Sequence, residues 1–487
     1  MRLAYPTIFF ILFCCSFLVS GQSLMQTIEK TEKAVFSITG YNNSGAQTGI
    51  SSGFFISSNG LAITVGSILE KADSAMITTR NGRDYKIERI IATHPHSNLT
   101  LVKVQQTRQK DFSYLIPTKQ SFKEFEELLI FTHEQETEQG TSLARMSAIN
   151  YFPFITRCGI INAPYGTMSH GAPVINQKGE LTGILNGLSN EPQKIVYNSH
   201  LLNDTSWLSI NKRTSELQFY PEKNIHLNSN LSQSVIQYLT GQYMESAKTI
   251  SRHLKRCPND AVAYSLRAIT RFRYKNSVGS REDFQTAISK NADCHYAFYF
   301  KALMNLETNN PKEAQVNLDL CLSRMPTFTP AIVEVTKLKF NQNKDTRWAM
   351  EEYSRAVEND SLYADAFYER ARLVLQYFNN TELASKDINQ AIYLNPNLAG
   401  VYSIRGTIKF SNEDFLDAIN DFNKALEKDP EDVYAYFNRA VAQYNIGLKE
   451  NACKDWQKAG ELGNYKAFKY ISRYCNEVRR GYYNNHP

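Results

Sequence analysis

The stretch TMSHGAPVINQKGELTGI, Thr167 to Ile184, poses the question on which the fold turns: why does a histidine stand at position 170? Pro173, Val174, Asn176, Gly179, Glu180, Leu181, Gly183 and Ile184 form a recognisable frame around it, and the surrounding chain decides whether that frame is accidental. From Lys33 to about Leu202 the sequence consists of short β-rich runs, among them AVFSI, SGFFIS, LAITVG, SAMITT, ERIIAT, LTLVKV and ELLIFT. Asn59-Gly60 and Asn81-Gly82 are hairpin-turn signals between such runs, because both dipeptides tolerate the positive φ of tight turns. Many short strands at this spacing predict a sandwich or barrel.

Three segments narrow this to a family. SSGFFISSNGLAITVGSILEKA, Ser51 to Ala72, resembles the HtrA-like branch of bacterial trypsin-fold proteases, whose matching segment reads GSGFIISxDGYILTNxHVVxxA. HPHSNLTLVKV, His94 to Val104, resembles the family's DxxxDLALLKV, and the opening stretch resembles GNSGGPLVN followed by a G-E-L-x-G-I strand. The resemblance covers about 150 residues in the family's order and implies an all-β, trypsin-like double β-barrel. It also places the catalytic histidine on Ser67, the aspartate on Asn98 and the serine on His170.

That set lacks the chemistry of the triad, which needs a hydroxyl nucleophile, a base beside it and a carboxylate to steady the imidazolium. Ser67 is no base near neutral pH, Asn98 carries no charge, and the oxyanion segment is altered to Met168 and Ser169. Loss of a triad as a unit costs roughly six orders of magnitude in turnover. The resemblance therefore implies no catalytic residue. The alternative is a serine endopeptidase-like hydrolase with a rearranged site, in which Ser169 is the nucleophile or Ser67 and His170 are the pair exchanged. His94 and His96 flank Pro95, but no further ligands are in view, so they read as a solvated loop without metal, and no cofactor is implied. Strand addition of a peptide along Thr182 to Leu185, with Met168 and His170 lining a cleft floor, is a further expectation for the domain.

Near residue 225 the texture changes to helical patterns with an internal repeat. Pro258, Ala292, Pro326, Ser361, Pro396, Pro430 and Asn464 occupy one slot at intervals of 34, 34, 35, 35, 34 and 34 residues. Twelve residues before each slot stand small residues, eight before stand large apolar ones, and five before mostly alanine. Small residues let helices approach, large ones fill the groove beside them, and proline ends the second helix. The unit resembles the tetratricopeptide repeat, which implies an all-α superhelix that takes protein or peptide partners on its concave face. The repeats run from about Leu231 to Asn464, and AFKYISRYCNEV reads as a cap over the last apolar face. Arg267, Arg370, Arg405 and Arg439 recur sixteen or seventeen residues before Asp283, Asp387, Asp421 and Asp455, a spacing that predicts structural ion pairs between packed helices. Where Val335 and Lys301 replace the arginine, the matching positions are Glu352 and Asn317.

Arg2 followed by IFFILFCCSFLV and small residues to Gly21 reads as a signal peptide over 1–21. The domains are then a trypsin-like (pseudo)protease domain over 22–220 and a repeat domain with its cap over 225–480. The expected location is periplasmic or secreted in a bacterial envelope, with Cys14 and Cys15 keeping a lipoprotein anchor open as an alternative. No later run of eighteen apolar residues predicts an integral membrane segment. A net charge of +6 over 487 residues, without a run of five like charges, marks no nucleic-acid surface. Cys453 and Cys475 fall on helices made antiparallel by the turn near Gly463, so a bridge between them is expected in an oxidising compartment.

Overall fold

The computed structural model describes residues 25–70, 72–94, 97, 99–105, 112–118, 123, 125–132, 141–153, 156–162, 170–186, 193–203, 207–213 and 229–475. The signal-peptide segment 1–21 lies outside them. The β-rich runs become strands β1 (Val35–Tyr41), β2 (Gln47–Phe55), β3 (Leu61–Val65), β4 (Ser74–Thr79), β5 (Asp84–Thr93) and β6 (Leu99–Val104). They pair in the order β5-β4-β1-β2-β3-β6, and β5 also pairs with β6, which closes a six-stranded barrel. Gly60 and Gly82 take φ of 85° and 74° in the β2–β3 and β4–β5 turns, the left-handed backbone that their Asn-Gly dipeptides foretell. Phe36, Ile38, Phe55, Ile77, Ile90 and Val102 fill this barrel.

The second barrel comprises β7 (Glu127–Phe131), β8 (Thr141–Phe152), β9 (Thr156–Asn162), β10 (Pro173–Ile175), β11 (Leu181–Asn186) and β12 (Gln193–Asn198). It closes in the order β10-β11-β12-β9-β8-β7 around Leu128, Ile130, Met146, Ile161, Val174, Leu185 and Val196. Strand β13 (Leu208–Arg213) returns to extend the first sheet beside β5.

Antiparallel helices arranged as tetratricopeptide repeats follow from Ser229 onward. The chain divides into two compact units, Met1–Asn317 and Leu318–Pro487. The change from strand to helix near residue 225 is therefore not where compactness changes. Within the first unit, the Phe152 ring at the end of β8 lies 5.7 Å from that of Tyr238 on helix Ser229–Leu239 and 6.3 Å from that of Phe300 on helix His295–Glu307.

The arginine column is a set of bidentate ion pairs. Arg267 donates to both carboxylate oxygens of Asp283 at 2.9 and 2.7 Å, and Arg370 does so to Asp387 at 2.7 and 2.7 Å. Arg405 to Asp421 and Arg439 to Asp455 repeat the geometry at 2.7 to 2.8 Å. Each guanidinium also lies over an aromatic ring three residues earlier, Tyr264, Phe367, Tyr402 or Tyr436, at 5.3 to 5.9 Å. Burial works against charge on Asp421, yet Arg405 and Lys409 outweigh it and hold its carboxyl below the usual range. Where the arginine is missing, Glu352 pairs instead with Arg355 on its own helix, and the Asn317 amide donates to the Glu313 carbonyl at 2.7 Å.

Gly406 fills a small-residue position because a Cβ there would fall 2.8 Å from the Phe422 ring. The 35-residue interval from Ser361 to Pro396 contains a π-helical turn, Val374–Phe378, after helix Ala364–Leu373, which accommodates the extra residue. At the C-terminal end, Tyr465–Tyr470 and the turn Ile471–Cys475 cover Trp456, Ala440 and Ala459, and the sulfur atoms of Cys453 and Cys475 are bonded with their Cα atoms 5.8 Å apart.

Two outcomes follow for stability. Asp387→Ala leaves the Arg370 guanidinium, 15% exposed, without its acid, and chemical denaturation is expected to show a loss of about 3 kcal/mol. Reducing the Cys453–Cys475 bridge frees a 22-residue loop, and melts with and without reductant should differ by about 3 kcal/mol in the C-terminal unit.

Candidate functional site

From His170 to Ile184 the chain belongs to the second barrel and touches the first. The His170 carbonyl accepts hydrogen bonds from the Ser52 amide at 3.1 Å and the Ser51 hydroxyl at 2.7 Å, both on β2. Gly171 follows at φ +80°, and a Cβ there would sit 2.6 Å from the Ser52 carbonyl oxygen and 2.7 Å from Val65 Cγ2, so glycine alone permits this approach. Its amide donates to the Leu185 carbonyl at 2.8 Å, and Thr64 contacts the Ser52 carbonyl at 3.5 Å. Ser67 stands two residues beyond Val65, half-buried, in the short helix Gly66–Glu70. Gly171, next to His170, and Val65, two residues before Ser67, thus meet at one junction. Asn98, Met168 and Ser169 lie outside the described residues.

The His170 side chain is 1% exposed. Burial lowers its pKa from 6.5 to about 3, and a hydrogen bond with the backbone of Leu185 offsets little of that. The ring is therefore neutral at physiological pH and a poor proton acceptor, since a working general base is poised near the operating pH. Cys158, on β9, offers no substitute nucleophile: burial pushes its thiol up to about 12 despite Arg157 beside it.

Three expectations are corrected. His94 is not on a solvated loop: it is 2% exposed, packs its ring 5.6 Å from that of Trp207, and its Nδ1 accepts from the Ser97 amide at 3.2 Å. It pins the turn between β5 and β6. The backbone from Thr182 to Leu185 is not an edge for strand addition, because β11 is paired on both sides, Gly183 facing Val174 on β10 and Asn198 on β12. His170 does not line an open cleft floor, since its ring is enclosed. Among the described residues no group of His, Cys, Asp or Glu is placed to hold a metal ion.

A second site carries no motif that sequence reading singled out. In the C-terminal unit, helices Thr329–Asn343, Ala364–Leu373 and Val401–Ser411, the first helices of successive repeats, lie side by side. On them Lys337 pairs with Glu334 at 2.6 Å and Arg372 with Glu369 at 2.8 Å. Asp365 stands beside these pairs. Burial pushes its carboxyl up to about 6, opposed by Lys337 and reinforced by Glu334 and Glu369. Tyr368 also senses Glu369, Asp365 and Asp432, and Asp432 accepts from the Ser403 hydroxyl. Glu334 and Glu369 stand 35 residues apart, one repeat interval, as do Lys337 and Arg372, whereas Asp365 falls outside that register and only packing reveals it.

Residues 51–184 match the model of the trypsin-like peptidase domain, and residues 406–447 that of the TPR repeat. The chain carries a trypsin-like peptidase domain followed by tetratricopeptide repeats. It is similar to the Hsp70-Hsp90 organizing protein of Triticum aestivum, at 33% identity over 88 residues, 18% of this chain and 15% of that protein. It is also similar to a lipoprotein NlpI homolog of Haemophilus influenzae, at 30% identity over 97 residues, 20% of this chain and 31% of that protein. The chain thus spans well under two thirds of the curated relatives it matches. Among solved structures, the serine endoprotease from Yersinia pestis aligns with a TM-score of 0.32 at 18% identity, covering 37% of this chain and 64% of that one.

The buried ring has a signed consequence for stability. Between 6.5 and about 3 the unfolded chain binds a proton at His170 that the folded chain excludes, so stability is lost as pH falls through that window. The limiting slope from one such group is about 1.4 kcal/mol per pH unit. Urea denaturation of His170→Gln at about pH 7 and about pH 4.5 should show a smaller loss on acidification than the unaltered protein.

Proposed function

We propose that this is an exported, non-catalytic binding protein, in which a trypsin-like domain without its triad serves as a rigid scaffold and the tetratricopeptide repeats take a protein or peptide partner. The observation that carries the reading is His170: the position of the nucleophile holds an enclosed, neutral imidazole whose carbonyl is committed to β2. With Ser67 in the place of the base, neither half of the nucleophile–base pair has its chemistry. Tetratricopeptide repeats support partner binding because such arrays offer extended surfaces built from many helices. The similarity to a lipoprotein homolog supports an envelope location, in keeping with the apolar N-terminal stretch.

One observation favours a second reading. Gly171 abuts Val65, two residues from Ser67, so serine and histidine stand at one junction with their places exchanged. A rearranged serine hydrolase would need His170 to accept a proton, which its burial opposes.

Purified protein is expected to leave a fluorophosphonate probe unreacted and casein and peptide libraries uncleaved. Labelling or turnover that disappears in Ser67→Ala or Ser169→Ala would overturn the non-catalytic reading.

A further inference from the structure

We propose that Glu334, Asp365 and Glu369, on the first helices of two adjacent repeats in the C-terminal unit, seat a basic side chain, the lysine or arginine of a partner polypeptide. The proposal rests on the reading that the repeats bind protein.

The charges on this face do not balance. Lys337 and Arg372 are each engaged by an acid three residues away on the same helix, Glu334 and Glu369 respectively. Asp365 makes no ion pair with any described residue, though it is largely enclosed, and Asp432 adds a further acid nearby. Three carboxylates and Asp432 thus face two cations, in a protein whose net charge is +6. Lys337 lies near Asp365 but is paired with Glu334, and an enclosed carboxylate without a cation of its own is costly; the ladder of Arg370, Arg405 and Arg439 shows the structural alternative, a bidentate guanidinium for each aspartate. Asp365 has none.

Tyr353 points to a ligand independently. Its side chain is 1% exposed, and its hydroxyl has no hydrogen-bond partner among the described residues. Tyr353 lies near enough to Glu369, Arg372 and Glu334 to feel their charges, so the unpartnered hydroxyl stands beside this cluster. An unsatisfied buried hydroxyl costs about 1–3 kcal/mol unless something supplies its partner. The π-helical turn Val374–Phe378 begins two residues after Arg372, and such turns recur at functional sites.

The cation is organic. The carboxylates are not grouped to hold a metal ion, whereas a guanidinium or ammonium on a long stem spans separated acids and donates several hydrogen bonds at once.

The test uses the full chain with its disulfide intact. A display library of random peptides is first selected on the protein; the retained peptides are expected to be enriched in lysine and arginine. A fluorescein-labelled Gly-Arg-Gly-Arg-Gly peptide should then bind, less tightly as salt rises. Its Kd should rise at least about tenfold in Asp365→Asn and in Glu334→Gln, while Glu382→Gln, on the exposed face of another helix, leaves it unchanged. Asp365→Asn removes an enclosed charge, so its melting temperature should hold or rise, which separates loss of binding from loss of fold. Retained peptides without basic enrichment, bound equally by Asp365→Asn, would overturn the basic seat and leave protein binding standing. A library from which nothing is retained would overturn both.

Discussion

Two backbone ties hold the barrels of the trypsin-like domain together: the His170 carbonyl accepts from Ser51 and Ser52 while Gly171 presses against β2 and Val65, and the stretch from Leu115 to Thr118 bonds to Phe55 on one barrel and to Leu181 on the other. Strands that close into a barrel spend their edges on one another, so contacts of this kind tie one barrel to the other. On the His170 side these bonds use only the backbone carbonyl, so they do not depend on which side chain occupies position 170. That explains how a histidine can stand there while the fold persists. The enclosed ring then fills space, neutral, where a working site would need an exposed hydroxyl.

The repeats follow a different economy of charge. Four arginines reach across to the next helix and grip an aspartate with both nitrogens, each over an aromatic face. Burial would raise the Asp421 pKa, and Arg405 with Lys409 reverses this. Asp365 lies on the same kind of helix, and burial wins there, because Lys337 is shared with Glu334 and no arginine arrives. The contrast between a satisfied acid and an unsatisfied one separates scaffold from surface with the same residue types.

A trypsin-like domain and the first part of a repeat array share one compact unit in this chain. The first compact unit includes both barrels and the first helices, with Phe152 against Tyr238 and Phe300. The domain thereby contributes structure to the array, a role that does not require catalysis.

The sequence by itself determined the strands, the Asn-Gly turns, the repeat register and the arginine–aspartate pairs. Each depends on local periodicity or on one fixed spacing along the chain. It also led to the expectation, through a family resemblance, that Ser67 and His170 stand at the positions of the triad histidine and serine. Tertiary structure alone decided that the His170 ring is enclosed, that His94 is buried against Trp207 and that β11 has no free edge, because burial and strand neighbours come from distant segments. It alone assembled Glu334, Asp365 and Glu369 with Tyr353, since side chains on separate helices meet only when the helices pack, and the extra residue of one repeat became a π-helical turn for the same reason.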